Sequence, residues 1–296
     1  MIEADVLSFG GRLFLWLCLY TLLLLGYAGL EQGVIARFQQ RRSAQGWAAF
    51  RPAIVGVGSV AALIFALLAA LIIPLCPDLL FFGQIVKGHV LGELELGVLV
   101  SLAANGAGEV LLILASRPQG AQCWRSTPWE RVGRLLLHAL PAMLVLCSLL
   151  LTVSVLSGGQ VSGLRPTDLI AMQQAYNGLR WLVLLQPVAW GLWMVCAAAG
   201  TGPARQTLAG RVLGLNRALL ASMLFFGGWQ GPFVARLSWL GVLYTALKVA
   251  ALAFVWTWLH ASLPAPPFSV GQRRMWRVLV PVSLINLVVT ALIVIV

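Results

Sequence analysis

Repeated runs of about 20 apolar residues are the feature that most constrains how this chain can fold. Because every backbone polar group inside a bilayer needs an internal partner, runs of this length predict α-helices. Eight can be drawn, over residues 13–32, 53–76, 96–116, 134–157, 180–201, 208–227, 239–259 and 277–295. No stretch between them is long enough to fold alone. We therefore predict an all-α integral membrane protein with about eight transmembrane helices in a single domain over residues 1–296.

The charge composition fits a chain that lies in lipid. Only 10% of the residues are charged, whereas a soluble domain carries about 25%. The formal charge of +11 comes from 18 arginines and 2 lysines against nine acids. Membrane proteins carry such a basic surplus in their cytoplasmic loops, so we do not read it as a sign of nucleic acid binding.

The distribution of basic residues predicts the orientation. Odd-numbered loops hold fourteen: Arg37, Arg41, Arg42, Arg51, Arg117, Arg125, Arg131, Arg134, Arg205, Arg211, Arg217, Arg273, Arg274 and Arg277. Even-numbered loops hold four: Lys87, Arg165, Arg180 and Arg236. This bias places the odd loops in the cytoplasm and both termini outside.

Two segments are less regular than the rest. The sixth span contains Arg211, Asn216 and Arg217, so we expect it to be short or tilted. In the loop over residues 158–179, Pro166 precedes a predicted short surface helix, with Thr167 or Asp168 as its N-cap.

Two ionisable residues, Glu109 and Lys248, lie toward the middle of predicted spans, where a charge costs at least about 2.5–3.5 kcal/mol. Ser101, Asn105 and Glu109 are spaced four residues apart and predict one polar stripe on a helix. Two interpretations stay open. The residues form a proton-relay or substrate track, or they are structural, as a Glu–Lys pair or a neutral glutamate bonded between helices.

No motif for catalysis or cofactor binding is evident. The five cysteines stand singly and no His/Cys cluster occurs, which argues against zinc and iron–sulfur sites. A nucleophile elbow and a phosphate loop are also absent. We predict no catalytic residue, no metal ligand and no directly bound cofactor.

The last third of the chain carries the clearest motifs. These are FFGGWQGPF (225–233), LKVAALAFVWTWLHASLP (247–264) and MWRVLVPVSLINLVVTA (275–291). They resemble the H subunit of bacterial respiratory complex I, called subunit 1 in mitochondria. The matching residues are Gly227, Gly228, Trp229, Gly231, Pro232, Lys248, Trp258, Ala261, Ser262, Leu263, Pro264, Trp276, Pro281 and Asn286. The first cytoplasmic loop resembles the family too, at Glu31, Ala36, Arg37, Gln39 and Arg41.

The resemblance implies a subunit of a proton-translocating NADH:quinone oxidoreductase in the bacterial cytoplasmic (inner) membrane, at the junction with the peripheral arm. Partners would be membrane-arm and peripheral-arm subunits and membrane lipid, and the resemblance leaves room for quinone at an interface with them. The candidate quinone-chamber or coupling residues are Glu31, Arg37, Gln39, Arg41, Glu109 and Lys248.

The departures from the family fall on ionisable residues. The family's E-R-K triplet is Glu31-Gln32-Gly33, residues 53–77 carry no charge, and the third cytoplasmic loop (197–212) has no acid. This pattern predicts a divergent, shortened member with a scaffold role and weakened quinone and proton work. The alternatives are a small-solute or ion transporter and the membrane anchor of an energy-converting hydrogenase.

Overall fold

A computed structural model supplies the fold, and its helices follow the apolar runs. It describes residues 2–38, 57–81, 84–86, 88, 90–91, 93–115, 127–159, 164–174, 181–198, 207–234, 237–262 and 268–295. Its helices are α1 (Ile2–Phe38), α2 (Val57–Ile72), α3 (Gly97–Ala115), α4 (Pro128–Leu156), α5 (Pro166–Gln174), α6 (Leu182–Leu185), α7 (Pro187–Ala198), α8 (Leu208–Phe226), α9 (Trp239–Ser262), α10 (Phe268–Arg274) and α11 (Val280–Ile295), with a π-helical turn (Met275–Leu279) between the last two.

The predicted fold class is confirmed. A helix lies at each of the eight predicted spans, and six helices among the described residues are long and apolar enough to cross a membrane. The helices at the second and fifth spans, α2 and α7, are shorter. The chain is therefore an all-α, multi-pass membrane protein, whereas the number of spans and the orientation of the termini stay predictions.

The loop between α2 and α3 contains the strands that the structure describes. β1 (Leu79–Phe81) and β2 (Gln84–Val86) form an antiparallel pair, with Leu80 opposite Ile85. Three residues per strand make this a local hairpin within an otherwise helical chain.

Helix α8 forms the centre of the bundle. It contacts α1, α2, α3, α5, α6, α7 and α9, and nearly every side chain along it is buried. Thr207 caps its first turn by accepting a hydrogen bond from Gly210 N (3.1 Å). Gly227 ends it in the left-handed conformation (φ 68°), which glycine adopts without steric cost. The sixth span is thus a full helix of 19 residues. Of the two expectations for it, the short segment is wrong and the tilt stays a prediction.

A close approach joins α8 to α1. A Cβ at Gly214 would clash with the Tyr27 hydroxyl, so only glycine lets this tyrosine reach the helix. Trp16, Tyr20, Tyr27 and Glu31 are all buried on α1. Their spacing of four, seven and four residues places them on one face, turned toward the core.

The predicted surface helix after Pro166 exists as α5, but it is not on the surface. Leu169 and Ile170 are fully buried in the core, and the Gln173 amide donates to Met223 O (3.0 Å) near the end of α8. The helix begins at Pro166, so Thr167 and Asp168 lie within its first turn. The sequence pattern missed this because only a few residues face the core.

The fifth span is interrupted. Gln186 separates α6 from α7 with a non-helical backbone (φ −134°, ψ 64°), immediately before Pro187. Its side-chain amide donates to Ser148 O (3.1 Å), to the Thr152 hydroxyl and to the Thr290 hydroxyl (3.3 Å). Asn286 Nδ2 also donates to Ser148 Oγ (3.1 Å). We call Ser148, Thr152, Gln186, Asn286 and Thr290 the neutral cluster, which joins α4, the break between α6 and α7, and α11.

Candidate functional site

A chain of buried polar side chains runs across the bundle from α1 to α3. The Tyr20 hydroxyl donates to Asn216 Oδ1 (2.7 Å), and Asn216 Nδ2 donates to Asn105 Oδ1 (3.3 Å). Asn105 Nδ2 in turn donates to Glu109 Oε1 (3.1 Å). Asn216 also donates to Ala66 O on α2 (2.7 Å). One residue of α8 therefore holds three other helices.

Glu109 is paired with a cation from α8. Its second carboxylate oxygen forms a salt bridge with Arg217, and both side chains are largely buried. The Arg217 guanidinium also lies over the Trp256 ring of α9, 5.3 Å from the centroid. We call Tyr20, Asn105, Glu109, Asn216 and Arg217 the charged network. Among the residues that the structure describes, it joins α1, α2, α3, α8 and α9.

A second acid–arginine pair lies nearer the start of α8. Arg211 Nε lies 3.9 Å from Glu31 Oε2, and only 2% of the Glu31 side chain is exposed. Glu31 lies within α1, seven residues before its end. Its place after the first apolar run had indicated the border of a loop. The structure instead shows a buried group inside a helix.

The two acid–arginine pairs are separate. Arg211 and Arg217 are six residues apart, which is about 9 Å along the helix axis and roughly 240° around it. Each acid thus meets α8 on a different face. A proton relay needs titratable groups within hydrogen-bond reach of one another or of water, and the links between Glu109 and Tyr20 are amides. The geometry favours the structural interpretation, with arginine in place of the predicted lysine.

Lys248 does not join either pair. Its ammonium donates to three backbone carbonyls at and just after the end of α8: Phe226 O (2.7 Å), Gly228 O (2.8 Å) and Gln230 O (2.5 Å). The Trp181 ring lies beneath it, 4.9 Å from Nζ. Carbonyls at a helix end carry partial negative charge, so Lys248 fixes the GGW turn to α9.

Of the three remaining candidates from the first loop, the structure describes one. Arg37 is exposed in the last turn of α1. Gln39 and Arg41 lie outside the described residues. Within the described parts of the chain, no group of three or more His, Cys, Asp or Glu side chains could hold a metal ion.

Sequence reasoning missed the arginines of α8 as site residues. Arg211 and Arg217 were counted as loop residues, but both lie inside the helix; without them the bias is twelve basic residues against four, so its direction holds. A usable signal was present. Two acids in apolar spans need counter-ions, and these arginines were the cations of an otherwise apolar segment.

Comparisons with known proteins agree with the motifs of the last third. The profile of the NADH dehydrogenase family matches residues 208–291, from α8 to α11. The second H subunit of the NADH-quinone oxidoreductase of Cereibacter sphaeroides is 34% identical over 152 residues, which is 43% of this chain and 45% of that protein. The H subunit of Thermomicrobium roseum is 28% identical over 259 residues, covering 76% of this chain and 71% of the relative.

The chain is similar to the H subunits of NADH-quinone oxidoreductases. Its identity to these members is modest. The match to the first H subunit of Rhodopseudomonas palustris reaches 41% but covers 76 residues, or 22% of that protein. The chain thus spans less than half of the Cereibacter and Rhodopseudomonas relatives it matches. The matched segment includes Arg211, Asn216, Arg217 and Lys248, so the residues of α8 and its end lie in the part the family profile covers.

Proposed function

We propose that the chain is a membrane-arm subunit of a complex-I-like NADH:quinone oxidoreductase in a bacterial cytoplasmic membrane, at the junction with the peripheral arm. Its work there is to hold neighbouring subunits, and it carries no redox centre of its own. Redox chemistry would belong to partner subunits, and any quinone would bind where this chain meets them.

The salt bridge between Glu109 and Arg217 is the observation that carries the scaffold role. A carboxylate held by a guanidinium and an amide can take up a proton only by leaving the positive charge of the arginine uncompensated in the membrane. That state is costly. Such a pair fixes helix positions. The absence of acids in residues 197–212 points the same way, because a relay needs further carboxylates at that side.

Co-purification tests the assembly. The tagged chain is extracted from its native membrane in mild detergent and separated by size. We expect it to elute with other subunits of an NADH:quinone oxidoreductase and with NADH-dependent quinone reduction. Recovery of the chain alone, under conditions where a known complex stays intact, would contradict the proposal.

A transporter is the second candidate, and the interrupted fifth span is what favours it. Many transporters bind their substrates where helices are broken at mid-membrane. Here, however, the Gln186 amide at the break bonds to Ser148, Thr152 and Thr290, so these groups are engaged with one another. Solute or ion flux into vesicles containing only this chain would support the transporter over the scaffold.

A further inference from the structure

The two helices α4 and α11 run side by side in the same direction. Ser148 of α4 bonds to Asn286 of α11, and one turn later Gln186 bridges Thr152 and Thr290. Both pairs advance by four residues, which requires parallel helices in register. Following each helix back by about 20 Å, at 1.5 Å per residue, reaches Arg134 on α4 and Arg273 on α10.

Five arginines therefore gather at one end of these helices. Arg131 and Arg134 lie half-buried on α4, while Arg273, Arg274 and Arg277 are exposed on α10 and the π-helical turn. Helix α10 and this turn both pack against α4. We call these five residues the arginine face. Within the described parts of the chain, Arg134, Arg273, Arg274 and Arg277 make no ion pair.

The chain itself offers little negative charge to balance this face. Its nine acids are Glu3, Asp5, Glu31, Asp78, Glu93, Glu95, Glu109, Glu130 and Asp168. Glu130 is the one next to the arginine face, and its carboxylate accepts a hydrogen bond from Thr127 N (3.1 Å) in a capping box. Glu31 and Glu109 are engaged with Arg211 and Arg217. Within the described residues, Arg273, Arg274 and Arg277 are therefore exposed and available to an anion from outside the chain.

The depth of the arginine face favours a lipid over a soluble protein. Two tryptophans flank it, Trp129 with 73% and Trp276 with 52% of the residue exposed, and exposed tryptophan is typical of the headgroup level of a membrane. Exposed apolar side chains begin immediately beyond the arginines, at Leu136 on α4 and Val278 before α11. The face thus lies where apolar surface gives way to polar surface.

From this arrangement we infer that the arginine face binds the phosphate headgroup of an anionic phospholipid. The guanidinium groups donate to phosphate oxygens, and the acyl chains lie along the exposed apolar residues of α4 and α11. Basic pockets between membrane helices take anionic headgroups by the same chemistry. The inference goes beyond the proposed function, because it holds whichever subunits the chain assembles with.

Lipid titration tests the site. The full chain in detergent is titrated with phosphatidylglycerol or with phosphatidylcholine, and bound lipid is counted by native mass spectrometry. We expect the wild type to bind phosphatidylglycerol preferentially. An arginine near a headgroup contributes roughly fivefold in affinity, so Arg273→Gln with Arg277→Gln should weaken binding about 25-fold. A matched control removes two arginines elsewhere, Arg12→Gln on α1 with Arg165→Gln, and should bind as the wild type does.

Further arms keep the result decisive. Arg273→Lys with Arg277→Lys keeps the charge and should retain most of the selectivity, and added salt should reduce the wild-type preference. Equal binding of the two lipids, insensitivity to salt, or the same loss in the control pair would overturn the inference. So would a Gln pair that keeps its lipid but loses an acidic soluble subunit from the native assembly, because the face would then belong to that protein.

Discussion

The charged network around α8 and the neutral cluster around Gln186 both hold helices together inside the membrane, but they do so with different chemistry. Both join several helices through buried polar side chains. In the charged network an acid and an arginine neutralise each other, and in the neutral cluster amides and hydroxyls exchange hydrogen bonds. A charge that loses its partner in the membrane costs several kcal/mol. An amide that loses its partner costs less, because it finds other hydrogen-bond partners more easily. The charged network should therefore be the stricter constraint on helix positions.

Removal of one charge from the Glu109–Arg217 pair should have the largest effect. Arg217→Gln leaves the Glu109 carboxylate uncompensated, and breaking a buried pair in this way costs about 3–5 kcal/mol. Unfolding in a denaturing detergent titration measures the loss. Arg165→Gln is the control, since it removes an exposed partner of Glu95, and exposed pairs contribute about 0.2–1 kcal/mol.

The double variant Glu109→Gln with Arg217→Gln should recover most of that stability, because no charge is left unpaired. The coupling energy follows from the cycle of single and double variants. If the losses of the two single variants simply add in the double variant, Glu109 and Arg217 do not act as a pair.

Lys248→Met should have a smaller but clear effect. It removes the hydrogen bonds to the carbonyls of residues 226, 228 and 230, and bonds to a charged donor contribute about 1.5–3 kcal/mol. Thermal unfolding in detergent measures the change. Thr245→Val is a control on the same helix, because the Thr245 hydroxyl bonds within α9 to Gly241 O. A lysine variant as stable as this control would remove Lys248 from the packing of the GGW turn.

Gln186→Leu should cost the least of the three. Hydrogen bonds between membrane helices average about 0.6 kcal/mol, with a maximum near 1.7. The hydroxyls of Ser148, Thr152 and Thr290 also donate to carbonyls of their own helices, so they keep a partner when the amide is removed. The control is Thr21→Val, whose exposed hydroxyl bonds within α1 to Leu17 O. A loss as large as that of Arg217→Gln would show that the neutral cluster is the stricter constraint, which reverses the comparison.

The sequence predicted the helices well because apolar runs of about 20 residues have few alternative folds in a bilayer. It was less informative where tertiary contacts decide. The burial of α5 depends on contacts of Leu169 and Ile170 with the core, and no local sequence pattern predicts such contacts. The break at Gln186 was not predicted, because it lies within one continuous apolar run and a proline such as Pro187 does not by itself end a membrane helix.

The candidate site was predicted in part. The stripe of Ser101, Asn105 and Glu109 is present on one face of α3, with all three side chains buried. One of the open alternatives, a Glu109–Lys248 pair, is wrong, because Glu109 pairs with Arg217. Sequence spacing within a helix cannot say which other helix packs against it. Lys248 was considered as a counter-ion because it stands alone near the middle of its span. In the structure Lys248 binds carbonyls at the end of α8, and Arg217 from the middle of α8 pairs with Glu109.

We propose that the Glu109–Arg217 pair is structural and takes no part in proton transfer. The most direct measurement is the number of protons pumped per NADH oxidised in membrane vesicles, with the native assembly carrying Glu109→Gln and Arg217→Gln together. We expect an assembled complex with the wild-type ratio of protons pumped per NADH oxidised. An assembled complex that transfers electrons at the normal rate but pumps fewer protons would contradict it.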